Sequence, residues 1–250
     1  MRLVDAVVLV TGASSGIGAA TTVRLAASGA RLIVTGRNEE RLREIAARTR
    51  ATPLAADLAE PDGPELLVEK ALAAEGRVDV LVCNAGAGWA GPIGELPAVK
   101  ASELVSLNLL APVQLARLLA PGMVERRSGR LVFVSSIAGA TGVRNEAVYA
   151  ATKAGLNGLA ESLAYELADT GVGVSLVLPG VVSTPFFGHR GRPYDRRRPR
   201  PIPAERAARA IAHAVSRDLD VVYVPGWLRF PAWLHGVAPR TFRRMAIRFS

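Results

Sequence analysis

The chain has 250 residues, half of them hydrophobic and few of them aromatic, which suits one domain with a large core and excludes a disordered or fibrous protein. Its formal net charge of +9 is local: residues 189–200 carry six arginines against Asp195, and residues 226–250 carry five arginines and no acid, so the rest is near neutral. There is no nucleic-acid reading motif, no stretch of about 18 uncharged apolar residues to span a membrane, and only one cysteine, Cys83, which excludes an internal disulfide and fits a reducing cytoplasm.

Met1-Arg2-Leu3 runs directly into a strand pattern rather than a signal peptide. Predicted strands are Ala6–Thr11, Arg31–Thr35, Thr52–Asp57, Val78–Cys83, Arg130–Ser135, Val172–Leu178 and Asp220–Val224. Most are continuous apolar runs, as parallel strands covered on both faces require. Helical stretches lie between them: Gly16–Ser28, Glu39–Thr49, Pro64–Glu75, Pro97–Pro121, Ala147–Asp169 and Ala204–Arg217. Gly29 and Gly171 fall just past helix ends, where a left-handed residue stops the helix. The alternation predicts an α/β fold with a doubly wound parallel sheet. Residues 1–225 read as a single domain and 226–250 as a basic amphipathic extension, while Ser183–Pro203, rich in Pro, Gly and Arg, reads as a long mobile loop.

The first strand ends in TGASSGIG, Thr11 to Gly18, and a helix follows. Gly12, Gly16 and Gly18 would let the backbone approach a pyrophosphate closely, with the helix N-terminus aimed at it. The second strand ends in VTGRN. Gly36 stands where a ribose-binding acid is expected, and Arg37 follows, so no carboxylate repels a 2′-phosphate and an arginine can pair with one. NADP(H) is therefore favoured over NAD(H).

Further along, YAATK places Tyr149 and Lys153 one helical turn apart, on one face. Lowering a tyrosine from about 10 to about 7 takes roughly 4 kcal/mol. A cation about 4 Å away supplies roughly that much at an effective dielectric of 20. The chain has 28 arginines and three lysines, and a lysine here is explained by its compact charge and long stem, which can reach a ribose hydroxyl. Ser136 sits at the C-terminal end of a strand, the edge where open α/β sheets bind ligands, and could donate to a substrate oxygen as charge grows there.

Together TGASSGIG, CNAG (Cys83–Gly86), Asn108 in SLNLLAP, Ser136, Tyr149-x3-Lys153 and LPGVVST (Leu178–Thr184) resemble the short-chain dehydrogenase/reductase family, over roughly residues 5 to 225. The resemblance implies a Rossmann-like seven-stranded sheet of order 3-2-1-4-5-6-7 with helices on both faces, and hydride transfer between a nicotinamide and a carbonyl or secondary alcohol. By that resemblance Tyr149 is the acid/base, Lys153 lowers its pKa and holds the ribose, and Ser136 orients the substrate oxygen. Asn108 would bind a water that links Lys153 to solvent. Gly12, Ser14, Ser15, Gly16, Ile17 and Gly18 would hold the pyrophosphate, Arg37 the phosphate, and Asp57 and Leu58 would sit beside the adenine. Asn84, Ala85 and Gly86 would back the ribose, while Pro179, Gly180, Val182 and Thr184 would cradle the carboxamide. Cys83 departs from the family, which often has asparagine there; it reads as a small strand-end residue. A regulator that binds NADP without turnover and a lipid-acting relative at a membrane surface are the alternatives to a soluble reductase.

Substrate identity is expected in residues 87–97, 137–145 and 183–203, where Trp89, Phe186, Phe187 and Tyr194 suit an apolar carbonyl or alcohol. The loop arginines could instead attract an acidic acyl carrier or coenzyme A thioester. His189, His213 and His235 form no metal-ligand pattern, and no metal is expected. Small residues on the Tyr149 helix, Ala150, Ala151, Ala154, Gly155 and Gly158, suggest a homodimer or homotetramer. In the tail, Phe242, Met245, Ala246 and Phe249 share a helix face opposite Arg240, Arg244 and Arg248. Such a helix packs on a second subunit, caps the pocket or makes peripheral contact with an anionic membrane.

Overall fold

The computed structural model describes residues 1–195 and 199–249, and side chains up to 247. Arg196–Arg198 of the basic loop, and the Arg248 and Phe249 side chains of the tail stripe, lie outside the described residues.

Along the chain run β1 (Val7–Thr11), α1 (Gly16–Ala26), β2 (Arg31–Gly36), α2 (Glu39–Thr49), β3 (Thr52–Ala55), α3 (Gly63–Glu75) and β4 (Val80–Cys83). The second half comprises α4 (Ala98–Val105), α5 (Ala111–Glu125), β5 (Gly129–Val134), α6 (Ile137–Thr141), α7 (Ala147–Glu166), β6 (Val172–Pro179), β7 (Val182–Ser183), α8 (Phe186–His189), β8 (Ile202–Pro203), α9 (Ala204–Arg217), β9 (Val221–Val224), α10 (Arg229–Val237) and α11 (Pro239–Phe249). Seven strands form one parallel sheet in the order β3-β2-β1-β4-β5-β6-β9, the predicted doubly wound order with β9 as its seventh strand.

The continuous apolar runs follow from a core on each face. In β1, Val8 and Val10 enter the core that holds Leu25 of α1, Leu42 of α2 and Ile211 of α9. Val7 and Leu9 enter the opposite one, with Leu67 of α3, Leu115 of α5 and Leu156 of α7. Successive side chains on a strand point to opposite faces, so a strand covered on both sides needs apolar residues throughout. Gly29, shortly after α1, adopts φ of +80° as predicted; Gly171 is also left-handed at +84°, but α7 ends earlier than expected, at Glu166, and Asp169 at +63° comes between them.

Two expectations require correction. The helix predicted as Pro97–Pro121 is α4, a π-helical turn over Ser106–Leu110, and α5, which continues to Glu125 with Pro121 inside it. The segment predicted as a long mobile loop contains β7, α8 and β8, β7 and β8 pairing as a small parallel ladder with Val182 opposite Ile202. Burial of Val182 and Ile202 helps hold the two ends of this stretch together. In the tail, α10 precedes α11, which spans the expected stripe from Phe242. Residues 98–125 are long and apolar enough to cross a membrane by length and composition alone. Their apolar face, including Leu104, Leu107, Leu115 and Leu119, is buried within the fold.

The chain crosses from one half of the sheet to the other beside β1, flanked by β2 and β4. At such a switch point the loops leave in opposite directions and open a crevice at the strands' carboxyl edge. The segments after β1, β4, β5 and β6 all end there.

Candidate active site

A cleft of about 1360 Å³ occupies that crevice. It exceeds the roughly 300–1,000 Å³ of an ordinary small-molecule pocket and suits a dinucleotide with a second ligand. Every residue expected to act in catalysis or to bind the cofactor lines it except Gly18 and Asn108.

At one end stands the glycine turn. Gly12 and Gly16 have φ of +66° and +55°. A Cβ on Gly18 would lie 2.1 Å from the Gly12 carbonyl oxygen, so only hydrogen fits where the helix crosses the turn. Ser15 is the N-cap of α1 and makes no side-chain capping bond, while Ser14, Ser15, Gly16 and Ile17 line the cleft. These features form an anion cradle at a helix start and fit a dinucleotide pyrophosphate. Thr11, which the sequence reading left without a role, organises the turn from behind. Its hydroxyl donates to the Val82 oxygen at 3.2 Å and accepts from the backbone N–H of Asn84 and of Ala85, each at 2.9 Å. The Asn84 amide donates to the Thr11 oxygen at 2.9 Å. The ends of β1 and β4 are therefore locked together.

Next to it, Gly36 faces Ser14: a Cβ at Gly36 would sit 3.1 Å from the Ser14 hydroxyl oxygen. Arg37 is exposed and has carboxylates near it, contrary to expectation: Asp57 at 3.8 Å from the end of β3 and Glu103 at 3.9 Å from α4. Tertiary folding supplies them, and neither neighbours Arg37 in sequence. Lys100 pairs with Glu103 at 2.8 Å, and Arg41, one turn after Arg37, also lines the cleft. Three cations thus meet two carboxylates, leaving the corner net positive. Arg41 and Lys100 were missed; only i+4 spacing from Arg37 marked the first, and nothing local marked the second. Asp57 also accepts from the Ala59 N–H at 2.9 Å, and Leu58 beside it is buried.

Ser136, Tyr149 and Lys153 come together at the other end. Ser136 caps α6, its Oγ accepting from the Ala138 N–H at 3.1 Å. Lys153 is buried, and its Nζ donates to the Val134 carbonyl oxygen at 2.9 Å and lies 6.0 Å from the Tyr149 ring centre. Ser135 fastens β5 to α7, donating to Lys153 O at 3.1 Å and approaching Asn157 Oδ1 at 2.6 Å.

Burial and the contacts of Ser136 and Arg190 act on the phenol in opposite directions. Burial pushes Tyr149 up to about 12, a hydrogen bond with Ser136 pulls it down, Glu146 raises it and Arg190 lowers it. Burial likewise brings Lys153 down to about 8. Desolvation disfavours the charged form of each, and here it outweighs neighbouring charge. Cys83 is also buried and pushed up to about 12, an inert thiol behind the site.

Asn108 lies in the π-helical turn with its side chain committed. Its Oδ1 accepts from the Ala87 N–H at 2.9 Å, and its Nδ2 donates to Ala87 O at 2.9 Å and Thr152 Oγ1 at 3.1 Å. A Cβ added to Gly86 would lie 3.1 Å from Asn108 Oδ1 and 3.6 Å from Lys153 Nζ, so this glycine separates the two.

Pro179 and Gly180 follow β6, and the Gly180 N–H donates to Val224 O at 2.8 Å. Thr184 crosses to the glycine turn: its Cγ2 would be 3.0 Å from a Cβ on Gly16. Above Tyr149 an aromatic ladder rises, with ring centres 5.4 Å apart from Tyr149 to Phe186, 5.6 Å from Phe186 to Phe187 and 5.4 Å from Phe187 to Tyr194. Arg190 lies over Phe187 at 4.7 Å and makes a buried ion pair with Glu146, immediately before α7. That pair, between residues 44 apart, had no local signature. Trp89 does not line the cleft; its ring packs against Gly91, where a Cβ would meet it at 2.6 Å.

The chain matches the short chain dehydrogenase family over residues 6–194. It is 35% identical over 186 residues to the 3-oxoacyl-[acyl-carrier-protein] reductase FabG of Escherichia coli, covering 74% of this chain and 76% of that one. Among solved structures it is similar to a metagenomic short-chain oxidoreductase in complex with NADP, with TM-score 0.75, 37% identity and coverage of 86% and 92% of the two chains. It is also similar to a 3-ketoacyl-(acyl-carrier-protein) reductase from Brucella melitensis complexed with NADH, with TM-score 0.83, 26% identity and coverage of 89% and 97%.

Proposed function

The chain belongs to the short-chain dehydrogenases and is an oxidoreductase, and from that premise we propose that it reduces an apolar carbonyl compound with NADPH, Tyr149 delivering the proton. The observation that carries the reading is the convergence of Tyr149, Ser136 and Lys153 at one end of a cleft whose other end is a glycine-lined anion cradle.

A nicotinamide held beside Pro179, Gly180 and Thr184 would supply the hydride for the carbonyl carbon. The Ser136 hydroxyl holds the carbonyl oxygen and stabilises charge as it grows there. The Tyr149 hydroxyl gives that oxygen its proton, and burial, which raises its pKa, keeps the phenol in the protonated form from which it can donate. Lys153, fixed by Val134, holds the ribose and returns a proton to the phenol; Asn108, whose amide N–H groups are both engaged, would meet the water that reloads it only through a carbonyl oxygen. Arg37 and Arg41 favour the 2′-phosphate of NADP(H), because Gly36 puts no carboxylate at the strand end. Phe186, Phe187 and Tyr194 favour an apolar substrate, and the kinship with ketoacyl reductases makes 3-oxoacyl thioesters the first compounds to try.

The test follows NADPH absorbance with a panel of ketones and 3-oxoacyl thioesters. Tyr149→Phe should lower turnover about 10²- to 10⁴-fold while still binding NADPH; turnover at the wild-type rate would discard Tyr149 as proton donor.

Two further parts of the reading have separate support. A hollow of about 370 Å³ lined by Val105, Leu109, Val148 and Ala151, with Val99 and Tyr165 exposed on the flanking helices, supports a homo-oligomer through the α4–α7 face, which light scattering would test. Cys83, the only cysteine and a buried free thiol, supports a cytoplasmic setting.

A further inference from the structure

The last 25 residues take no part in the chemistry above, yet they are firmly rooted beside it. Leu228 is 4% exposed, and a Cβ on Gly180 would come 2.8 Å from its Cδ1. Helix α10 also packs against α6, whose cap is Ser136.

From this root an apolar stripe turns outward. Phe230, Trp233 and Val237, spaced i, i+3 and i+7 on α10, are 63%, 58% and 65% exposed, and Trp227 just before them is 55% exposed. The Phe230 and Trp233 rings lie together, 5.9 Å between centres. Helix α11 folds back with Phe242 edge-on to His235 at 5.2 Å, which partly occupies its own apolar face on α10. Arg229, Arg240, Arg243 and Arg244 are exposed, and no acid lies anywhere in residues 226–250.

Contiguous exposed aromatics mark a contact surface. The charge decides its occupant. A symmetric contact of this segment with a second copy would bring two sets of five guanidiniums together without one acidic side chain. An anionic lipid surface neutralises them, while tryptophan and phenylalanine enter the headgroup boundary. We propose that the α10–α11 hairpin docks the protein on an anionic membrane surface, with the Phe230–Trp233–Val237 stripe inserted and the arginines on the headgroups. Because the hairpin roots at Gly180 and α6, docking sets the substrate end of the cleft beside the lipid, so that an apolar carbonyl compound can pass from bilayer to site; this last step rests on the reductase reading above.

Co-sedimentation with phosphatidylcholine vesicles, with and without phosphatidylglycerol, tests the docking. The intact protein should pellet with the anionic vesicles and far less with neutral ones, its tryptophan emission shifting to the blue. Phe230→Ser/Trp233→Ser should weaken binding about tenfold or more, and Arg240→Gln/Arg243→Gln/Arg244→Gln should erase the preference for anionic lipid. Both variants should keep wild-type NADPH binding, which verifies their fold. An intact protein that stays in the supernatant with every vesicle overturns the proposal, as does an apolar-stripe variant that turns an oligomer into a monomer while wild type binds no lipid. Lipid binding without turnover of any carbonyl compound would sink the reductase reading and leave the docking in place.

Discussion

The Lys153 ammonium donates to the main-chain oxygen of Val134 at 2.9 Å, so its charge is anchored to the end of β5, the strand that also leads into Ser136. Its folded pKa of about 8 lies below its ordinary 10.5. Between those values the unfolded chain holds a proton that the native one has lost, so stability rises with pH. Cys83, raised from 9.0, begins to oppose this above pH 9, and Tyr149, raised from 10.0, above pH 10. The clean window is therefore pH 8 to 9, where urea unfolding should show a gain of about 1 kcal/mol. Lys153→Met should abolish that gain; an unchanged pH dependence would mean that Lys153 is not the group responsible.

Because the Tyr149 phenol stays protonated to about 12, carbonyl reduction should be nearly independent of pH from 6 to 8, whereas alcohol oxidation, which needs the phenolate, should climb throughout that range. Initial rates in both directions across the pH range check this. A reductive rate that falls tenfold per unit above pH 7 would contradict it.

Cofactor choice should respond to the corner around Gly36. Arg37→Ser should weaken NADPH binding about 10- to 100-fold, the worth of a charge-assisted contact to phosphate, and leave NADH nearly unaffected. Gly36→Asp should reverse the preference, with the new side chain displacing Ser14, whose hydroxyl lies 3.1 Å from the Cβ position. Titration of the two reduced cofactors by fluorescence reads both variants.

Arg190→Met removes a charge-assisted contact from the buried Glu146 carboxylate beside Tyr149 and should destabilise the protein by about 1.5–3 kcal/mol. As α8 and the aromatic ladder loosen, KM for an apolar ketone should rise more than kcat falls. Adding Glu146→Gln should restore part of the stability. Steady-state kinetics and urea midpoints on the single and double variants separate the two effects.

Periodicity and turn chemistry made much of this protein legible in one dimension. The continuous apolar runs implied a sheet covered on both faces, Gly12, Gly16 and Gly18 implied a tight turn from strand to helix, and Tyr149 and Lys153 shared a helix face because four residues make about one turn. These are local signals, written within one or two elements. The α8 segment was misread as a loop because its order comes from partners far away in the chain: Glu146 for Arg190, Tyr149 for Phe186, and Val182 for Ile202.

What the residues determined alone was the alternation of elements, the cradle and the identities of the groups converging on the cleft, since each depends on backbone conformation and spacing within short stretches. Only the tertiary structure decided how those groups are charged and what surrounds them. Burial opposes ionisation of Tyr149 and Lys153 alike, Asp57 and Glu103 are carried to Arg37 from other elements, and the α10 stripe is left facing outward. Desolvation and through-space charge depend on which segments meet, and that is settled when the chain closes on itself.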